Sequence, residues 1–156
     1  MFEDDVVIAT RWGKTPRESV EDECRRVGTK QVVASCVAIL RDGDVDEETL
    51  RVLAGPAAEG VLLGHEGGRL GYWPRVWAMR GFLYAWDATA AGTAVDVVIA
   101  GAQDESWRVR EMSAKVVARH QLVEAFEAME SLKGDDVARV RSAAERALVR
   151  LVEFGA

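Results

Sequence analysis

The side chains that could perform chemistry are few, and they do not form a catalytic pattern. Only two histidines occur, His65 beside Glu66 in a glycine-rich segment and His120 between two predicted helices. No Ser-His-Asp, Cys-His or Cys-x-x-Cys pattern supplies a nucleophile, and no histidine or cysteine cluster has the spacing of a metal site. The glycine-rich segment also lacks the Gly-Lys-Ser/Thr of a phosphate-binding loop. We therefore predict no catalytic residue, no metal site and no cofactor.

Aromatic and basic residues are the better candidates, and what they could do is bind a partner. Tryptophan, tyrosine and arginine are enriched where protein surfaces recognise each other. In the predicted helix over residues 73–87, one stripe at helical spacing forms the core side and leaves other aromatic residues on a different side. The predicted recognition surface consists of Trp73, Trp77, Arg80, Tyr84, Trp107 and Arg108. The alternative is that these side chains pack against the preceding helices or against a second copy of the chain.

The composition is that of an ordinary globular protein with an acidic surplus. Apolar residues make up 49% of the 156 residues, and the formal net charge is −6. Because binding to phosphates needs clustered lysine and arginine, we do not expect a general nucleic-acid binder. Cys24 and Cys36 lie in apolar segments and are predicted to be buried free thiols. The acidic start, Met1–Asp5, indicates no signal peptide, and no apolar window is long enough to span a membrane, so we expect a cytoplasmic protein.

Helical signals run through most of the chain and predict the all-α class. Thr15, Pro16 and Glu18 form a helix start with a capping box, and Asp46 can cap a later helix. The segment Gly64–Gly71 has the strongest loop signal because it is rich in glycine. Helices are predicted at about 16–27, 30–41, 47–54, 57–63, 73–87, 93–102, 105–119, 121–132 and 136–154.

Three segments in the C-terminal part of the chain align without gaps, at offsets of 33 and then 31 residues. Each segment begins with Arg-Val, at Arg75, Arg108 and Arg139. In the last two copies an aspartate, Asp104 or Asp135, lies four residues before the opening arginine. Since one helical hairpin of this size cannot bury its apolar face alone, the repeats must stack on one another.

This pattern resembles the HEAT and HEAT-like repeat family, in which each repeat is a helical hairpin whose second helix opens with Asp and then Val-Arg. The two later copies match this order, whereas the first has Gly71 and Trp77 where the aspartate and the second arginine would stand. The resemblance covers about residues 56–156 and implies about three repeats in a short right-handed α-α superhelix. Residues 15–55 would then be N-terminal capping helices or a degenerate repeat within a single all-helical domain, 1–156.

The aspartate and the Val-Arg pair also have a structural role to fill in such a stack. The aspartate can cap the second helix of its repeat, and the arginine can reach the aspartate of the next repeat. We therefore predict a ladder between repeats that consists of Asp104, Arg110, Asp135 and Arg141. The alternative for the arginines is a strip that binds phosphate or an acidic partner.

Stacks of helical repeats commonly bind proteins or peptides. The resemblance therefore implies a non-enzymatic module for protein interaction or scaffolding, with a protein or peptide partner. One alternative is a HEAT-like glycosylase that removes alkylated bases from DNA, or another DNA-binding protein, since Asp104 lies near Trp107 and Arg108. The acidic charge and the short chain argue against that alternative.

Two further alternatives are left open by the residues. HEAT-like bilin lyases and hydroxylases are enzymes, although the hydroxylases need repeated His-Glu motifs and only His65-Glu66 occurs here. A structural protein that self-assembles, for example as a homodimer, would use an exposed apolar face of the helix predicted at 136–154.

Overall fold

The computed structural model describes residues 12–155, apart from the side chains of residues 90 and 91. Within this range the chain forms helices, short 3₁₀ turns and loops but no strand, so the predicted all-α class is confirmed. The acidic N-terminal stretch, from which no signal peptide is predicted, lies outside the described residues. The α-helices of the described range are α1 (Pro16–Val27), α2 (Thr29–Asp42), α3 (Glu47–Ala54), α4 (Ala57–Leu62), α5 (Trp73–Gly81), α6 (Ala91–Gly101), α7 (Trp107–His120), α8 (Phe126–Leu132) and α9 (Ala138–Glu153).

The helices group into two compact units, with the division between Asp87 and Ala88. The N-terminal unit holds α1 to α5, and the C-terminal unit holds α6 to α9. The predicted organisation, a single domain with capping helices over 15–55 and superhelical repeats over 56–156, stays a prediction.

Helix α1 in the N-terminal unit starts with side-chain hydrogen bonds of its own. Thr15 Oγ1 accepts from the Glu18 amide, and the Glu18 carboxylate accepts from the Thr15 amide, both at 3.1 Å. This confirms the predicted capping box. Ser19 Oγ donates to the Val52 carbonyl at 2.6 Å and ties α1 to α3. Cys36 in α2 is fully buried, as predicted.

Helix α5 approaches its neighbours closely because residue 81 is a glycine. A Cβ atom on Gly81 would lie 2.8 Å from Leu53 Cδ2 and 3.0 Å from Cys36 Sγ. α5 ends at this residue, which corrects the longer helix predicted here. The next three amides bond to carbonyls three residues back, in tight turns. These turns leave Phe82 fully buried and edge-on to Trp86, with 5.6 Å between ring centroids.

The glycine-rich segment forms an irregular turn, as its composition predicts. Gly67 and Gly68 take φ values of +87° and +61°, a region that glycine enters without steric cost. Arg69 at the end of the turn donates to the Val45 carbonyl at 3.2 Å and so fixes the segment against the start of α3. His65 lies exposed on the surface of this turn.

The C-terminal unit is built around α7 and α9, which share the most extensive helix contact in the described chain. Ser113 Oγ in α7 donates to the Val98 carbonyl of α6 at 2.7 Å in a fully buried position. Val116, also fully buried, belongs to the same core. The segment predicted as one helix over 121–132 begins instead with a 3₁₀ turn, Val123–Ala125, which α8 follows.

Candidate binding surface

Two aspartates shape the loops that lead into α7 and α9. Asp104 Oδ1 accepts a hydrogen bond from the Ser106 amide at 2.8 Å, and Asp135 Oδ1 accepts one from the Val137 amide at 2.9 Å. The prediction that each aspartate is the helix cap is corrected, because the N-cap residues are Ser106 and Val137. Each carboxylate bonds the amide two residues on and closes a turn just before the helix.

Arg110 joins these two loops. Its Nε and Nη2 donate to the two carboxylate oxygens of Asp135 at 2.8 and 3.2 Å. Its Nη1 donates to the carbonyls of Asp104 and Glu105 at 2.8 and 3.2 Å. The side chains of the ion pair are only 18% and 8% exposed. Arg141 then donates from Nη1 to the Asp135 carbonyl at 2.6 Å, so the structure brings the four ladder residues together.

Asp135 is ionised at neutral pH in this setting. Burial by itself raises the pKa of its carboxyl group. Hydrogen bonds from Arg110 and the Val137 amide, together with the positive charges of Arg110 and Arg141, outweigh burial and bring the pKa below its usual value of 3.8. The ladder therefore holds a charged carboxylate away from solvent.

The facing sides of α7 and α9 leave an open groove of about 670 Å³, here called the α7–α9 groove. Small side chains, Ala118 and Ala143, lie in it, and Val149, which is 58% exposed, forms part of its lining. A smaller opening of about 320 Å³ adjoins the groove and shares three of its residues. The polar lining of the groove consists of Lys115, Ser142, Glu145, Arg146 and Arg150.

The charged side chains in and beside the groove fall into a paired and an unpaired set. Glu111 is 7% exposed, and Arg139 Nε lies 3.0 Å from its Oε2. Lys115 Nζ lies 3.9 Å from the other oxygen of the same carboxylate. The guanidinium groups of Arg146 and Arg150, by contrast, form no ion pair or hydrogen bond with any residue between 12 and 155 whose side chain is described. Two cations are therefore free to meet a ligand.

Trp107, at the start of α7, carries two guanidinium groups against its indole ring. The Cζ atoms of Arg108 and Arg139 lie 4.6 and 5.4 Å from the ring centroid. Both distances are within the range of cation–π attraction. The structure thus brings together Trp107 and Arg108, two of the predicted surface residues, and links them through Arg139 to Glu111.

The segment that contains the ladder matches a known family of repeats. Residues 77–149 match the family model of HEAT repeats. The resemblance inferred from the Asp and Val-Arg pattern is confirmed over that segment. Searches among curated proteins and among solved structures found no match to the chain.

The remaining predicted surface residues lie in the N-terminal unit, and two of them are turned inward. Trp77 is 7% exposed and stacks on Trp73, with ring centroids 5.7 Å apart and planes inclined by 24°. Arg80 Nη2 donates to the Leu53 carbonyl at 2.7 Å, and burial lowers the pKa of its guanidinium group. Trp73 and Tyr84 are half-buried. A recognition surface at this place stays a prediction, to which Trp77 and Arg80 can offer little because both serve in packing.

Our sequence predictions missed most of the α7–α9 groove. On α9, Arg139, Ser142, Arg146 and Val149 stand at positions i, i+3, i+7 and i+10, which form one stripe of the helix. This stripe is exposed and runs beside the buried one. A usable signal was present, because Val149 is an apolar residue among charged ones and lies outside the core stripe. The HEAT-repeat pattern alone does not predict which face of α7 lies opposite this stripe of α9.

The described residues also include two thiols and several potential metal ligands. Within residues 12–155, no three His, Cys, Asp or Glu side chains are placed to hold a metal ion. Cys24 is half-buried, not fully buried as predicted, and burial raises the pKa of its thiol. Burial raises the pKa of Cys36 to about 12. Neither thiol is therefore activated as a nucleophile in the folded chain. In the same range, no helix combines the length and the apolar character needed to cross a membrane.

Proposed function

We propose that this chain is a non-enzymatic protein-interaction module that binds a segment of a partner protein in the α7–α9 groove. HEAT repeats generally serve as modules for protein interaction or scaffolding, and residues 77–149 match them. The observation that supports the groove as the binding place is its lining, which combines small apolar side chains with the unpaired guanidinium groups of Arg146 and Arg150.

The groove has the dimensions and the chemistry of a binding site. Its volume of about 670 Å³ falls in the range of sites that hold a small ligand or a few residues of a peptide. Ala118 and Ala143 allow a ligand to approach the helix backbones closely, and the exposed Val149 offers an apolar contact. The buried ladder fixes α7 against α9, so the groove is preformed and loses little entropy on binding.

Site-specific photocrosslinking in the cells that produce the protein tests this proposal. A photoreactive phenylalanine analogue in place of Val149 would stand in the groove, and the same analogue in place of Glu127 would stand on the exposed surface of α8 as a matched control. We expect a defined crosslinked protein from position 149 and none from position 127. Equal labelling from both positions, or no adduct from position 149, would contradict the proposal.

Self-association is a second candidate function, and exposed apolar residues near the end of α9 favour it. Val152 and Phe154 are 61% and 62% exposed. Exposed apolar side chains that form a patch often mark a protein–protein contact, which includes contacts between copies of one chain. Light scattering coupled to size-exclusion chromatography, with Phe154→Ser as the comparison, would show a dimer that this substitution dissociates. A wild-type monomer at high concentration would remove this candidate.

A further inference from the structure

We infer that the α7–α9 groove recognises an acidic peptide segment, whose carboxylates meet Arg146 and Arg150 and whose aliphatic side chain packs on Ala118, Ala143 and Val149. This inference rests on the proposed function and specifies the chemistry of the partner. It is carried by the charge and the spacing of the side chains that line the groove.

The groove is cationic although the chain as a whole is acidic. Its lining holds three cations, Lys115, Arg146 and Arg150, against one carboxylate, Glu145. The chain carries a formal net charge of −6, so acidic partners for arginine are plentiful elsewhere. All four arginines of α1 and α2 are indeed paired with a nearby carboxylate. Two unpaired guanidinium groups on one groove therefore mark a place that is complementary to negative charge.

The spacing of the two arginines suits carboxylates on a regular peptide. Arg146 and Arg150 are four residues apart, which places them about 6 Å apart along the axis of α9. Carboxylates one turn apart on a helix, or two residues apart on an extended strand, have about the same separation. Each guanidinium group can bind a carboxylate through two parallel hydrogen bonds. Lys115 on α7, whose ammonium group also lies 3.9 Å from Glu111, adds a third cationic side chain to the lining.

The same surroundings favour a peptide over a nucleic acid. Glu145 lies exposed in the groove, whereas Glu111 in the adjoining opening is paired with Arg139 and Lys115. A continuous row of phosphates would be repelled by Glu145, whereas a peptide can place its charges only where the arginines stand. The apolar lining residues also suit a leucine or valine side chain better than a charged sugar-phosphate backbone.

Fluorescence anisotropy with a synthetic probe tests the inference on the full chain. The probe is a short, labelled, helix-forming peptide with glutamates four residues apart and leucine between them, and its comparison is the same peptide with glutamine for glutamate. We expect wild type to bind the acidic peptide more tightly than the neutral one, with affinity falling as salt rises. Arg146→Gln/Arg150→Gln should weaken binding by about tenfold, since each exposed ion pair contributes modestly.

A matched variant controls for net charge. Arg119→Gln/Lys133→Gln removes the same two charges from exposed positions of the same unit that are not part of the groove lining. It should leave the affinity for the acidic peptide within about twofold of wild type. Val149→Asp provides a second groove variant in which both arginines are kept, and its added carboxylate should also weaken binding. Circular dichroism of each variant confirms that the helices are retained.

Three results would overturn the inference. The first is that wild type does not bind the acidic peptide, and the second is that the control variant loses as much affinity as the groove variant. The third is tighter binding of a duplex or single-stranded oligonucleotide at the same salt concentration. A crosslinked partner from position 149 combined with any of these results would leave the proposed function standing and remove only its acidic specificity. Absence of that crosslink would count against the proposed function itself.

Discussion

Replacement of Arg110 by alanine is expected to lower the free energy of unfolding by about 3 kcal/mol. The substitution removes hydrogen bonds to both carboxylate oxygens of Asp135 and to the carbonyls of Asp104 and Glu105. Removal of one partner from a buried ion pair costs about 3–5 kcal/mol, because the other charge is left without compensation. The lower end applies here because Arg110 is 18% exposed and Asp135 keeps its hydrogen bond from Val137.

Urea unfolding at pH 7, followed by circular dichroism, measures this change. Amide hydrogen exchange shows which helices are destabilised. The amides of α7 and α9 should exchange roughly 150-fold faster if the loss of stability is about 3 kcal/mol. Arg51→Ala is the control, since Arg51 pairs with three carboxylates that are all at the surface, and such pairs contribute little. An effect of Arg110→Ala no larger than that of the control would refute the structural role of the ladder.

Acid should remove the same stabilisation. The pKa of Asp135 is lower in the folded chain than its usual value of 3.8, so its contribution is fully present above that value. The contribution is lost as the pH falls from there through the lowered folded-state pKa. The difference in stability between wild type and Arg110→Ala should therefore be constant near neutrality and shrink below about pH 4. A difference that stays constant into strong acid would show that the carboxylate of Asp135 is not involved.

Three further substitutions or treatments test the packing of the N-terminal unit. Gly81→Ala should cost about 1–3 kcal/mol in thermal unfolding because its methyl group meets two neighbouring side chains, whereas Gly92→Ala, which enters open space, should not destabilise. Trp77→Ala should lower the free energy of unfolding in urea by about 3–5 kcal/mol, and full stability with loss of partner binding would instead assign this side chain to recognition. A thiol reagent at pH 8 should modify Cys24 before Cys36, which should react only after unfolding because it is fully buried. Peptide mass spectrometry measures the two rates. Equal rates in the native protein would contradict the burial of Cys36.

The parts of the fold that the sequence predicts well are those decided by neighbours along the chain. The capping box at Thr15 and the cap at Asp46 involve contacts three residues away, and both are present. The repeat pattern likewise depends on residues a few positions apart, the aspartate and the Val-Arg pair, and residues 77–149 match HEAT repeats. The close approach of α5 to Leu53 and Cys36 at Gly81 could not be predicted in this way, because those two residues belong to other helices.

The difference between features set by neighbours along the chain and features set by other helices is larger in the candidate site. Helical periodicity placed Trp77 away from the core stripe of its helix, yet it is 7% exposed because other parts of the unit cover that side too. The α7–α9 groove requires that Lys115 on one helix be set opposite Arg146 on another, and no local spacing specifies this pairing. Periodicity predicts which faces of a helix are apolar, but the pairing of faces follows only from the packed structure.

The contacts of the ladder run in one direction along the chain, and this limits how repeats of this kind can be recombined. An aspartate and the arginine six positions after it form the connecting element of each copy, as Asp104 with Arg110 and Asp135 with Arg141 show. The arginine of one copy reaches the aspartate of the next. A chimera joined between Arg110 and Asp135 takes the two sides of this ion pair between copies from different proteins. It keeps the ion pair only where the foreign segment supplies an aspartate at the position of Asp135, so exchange that preserves the ladder is restricted to whole periods in one order.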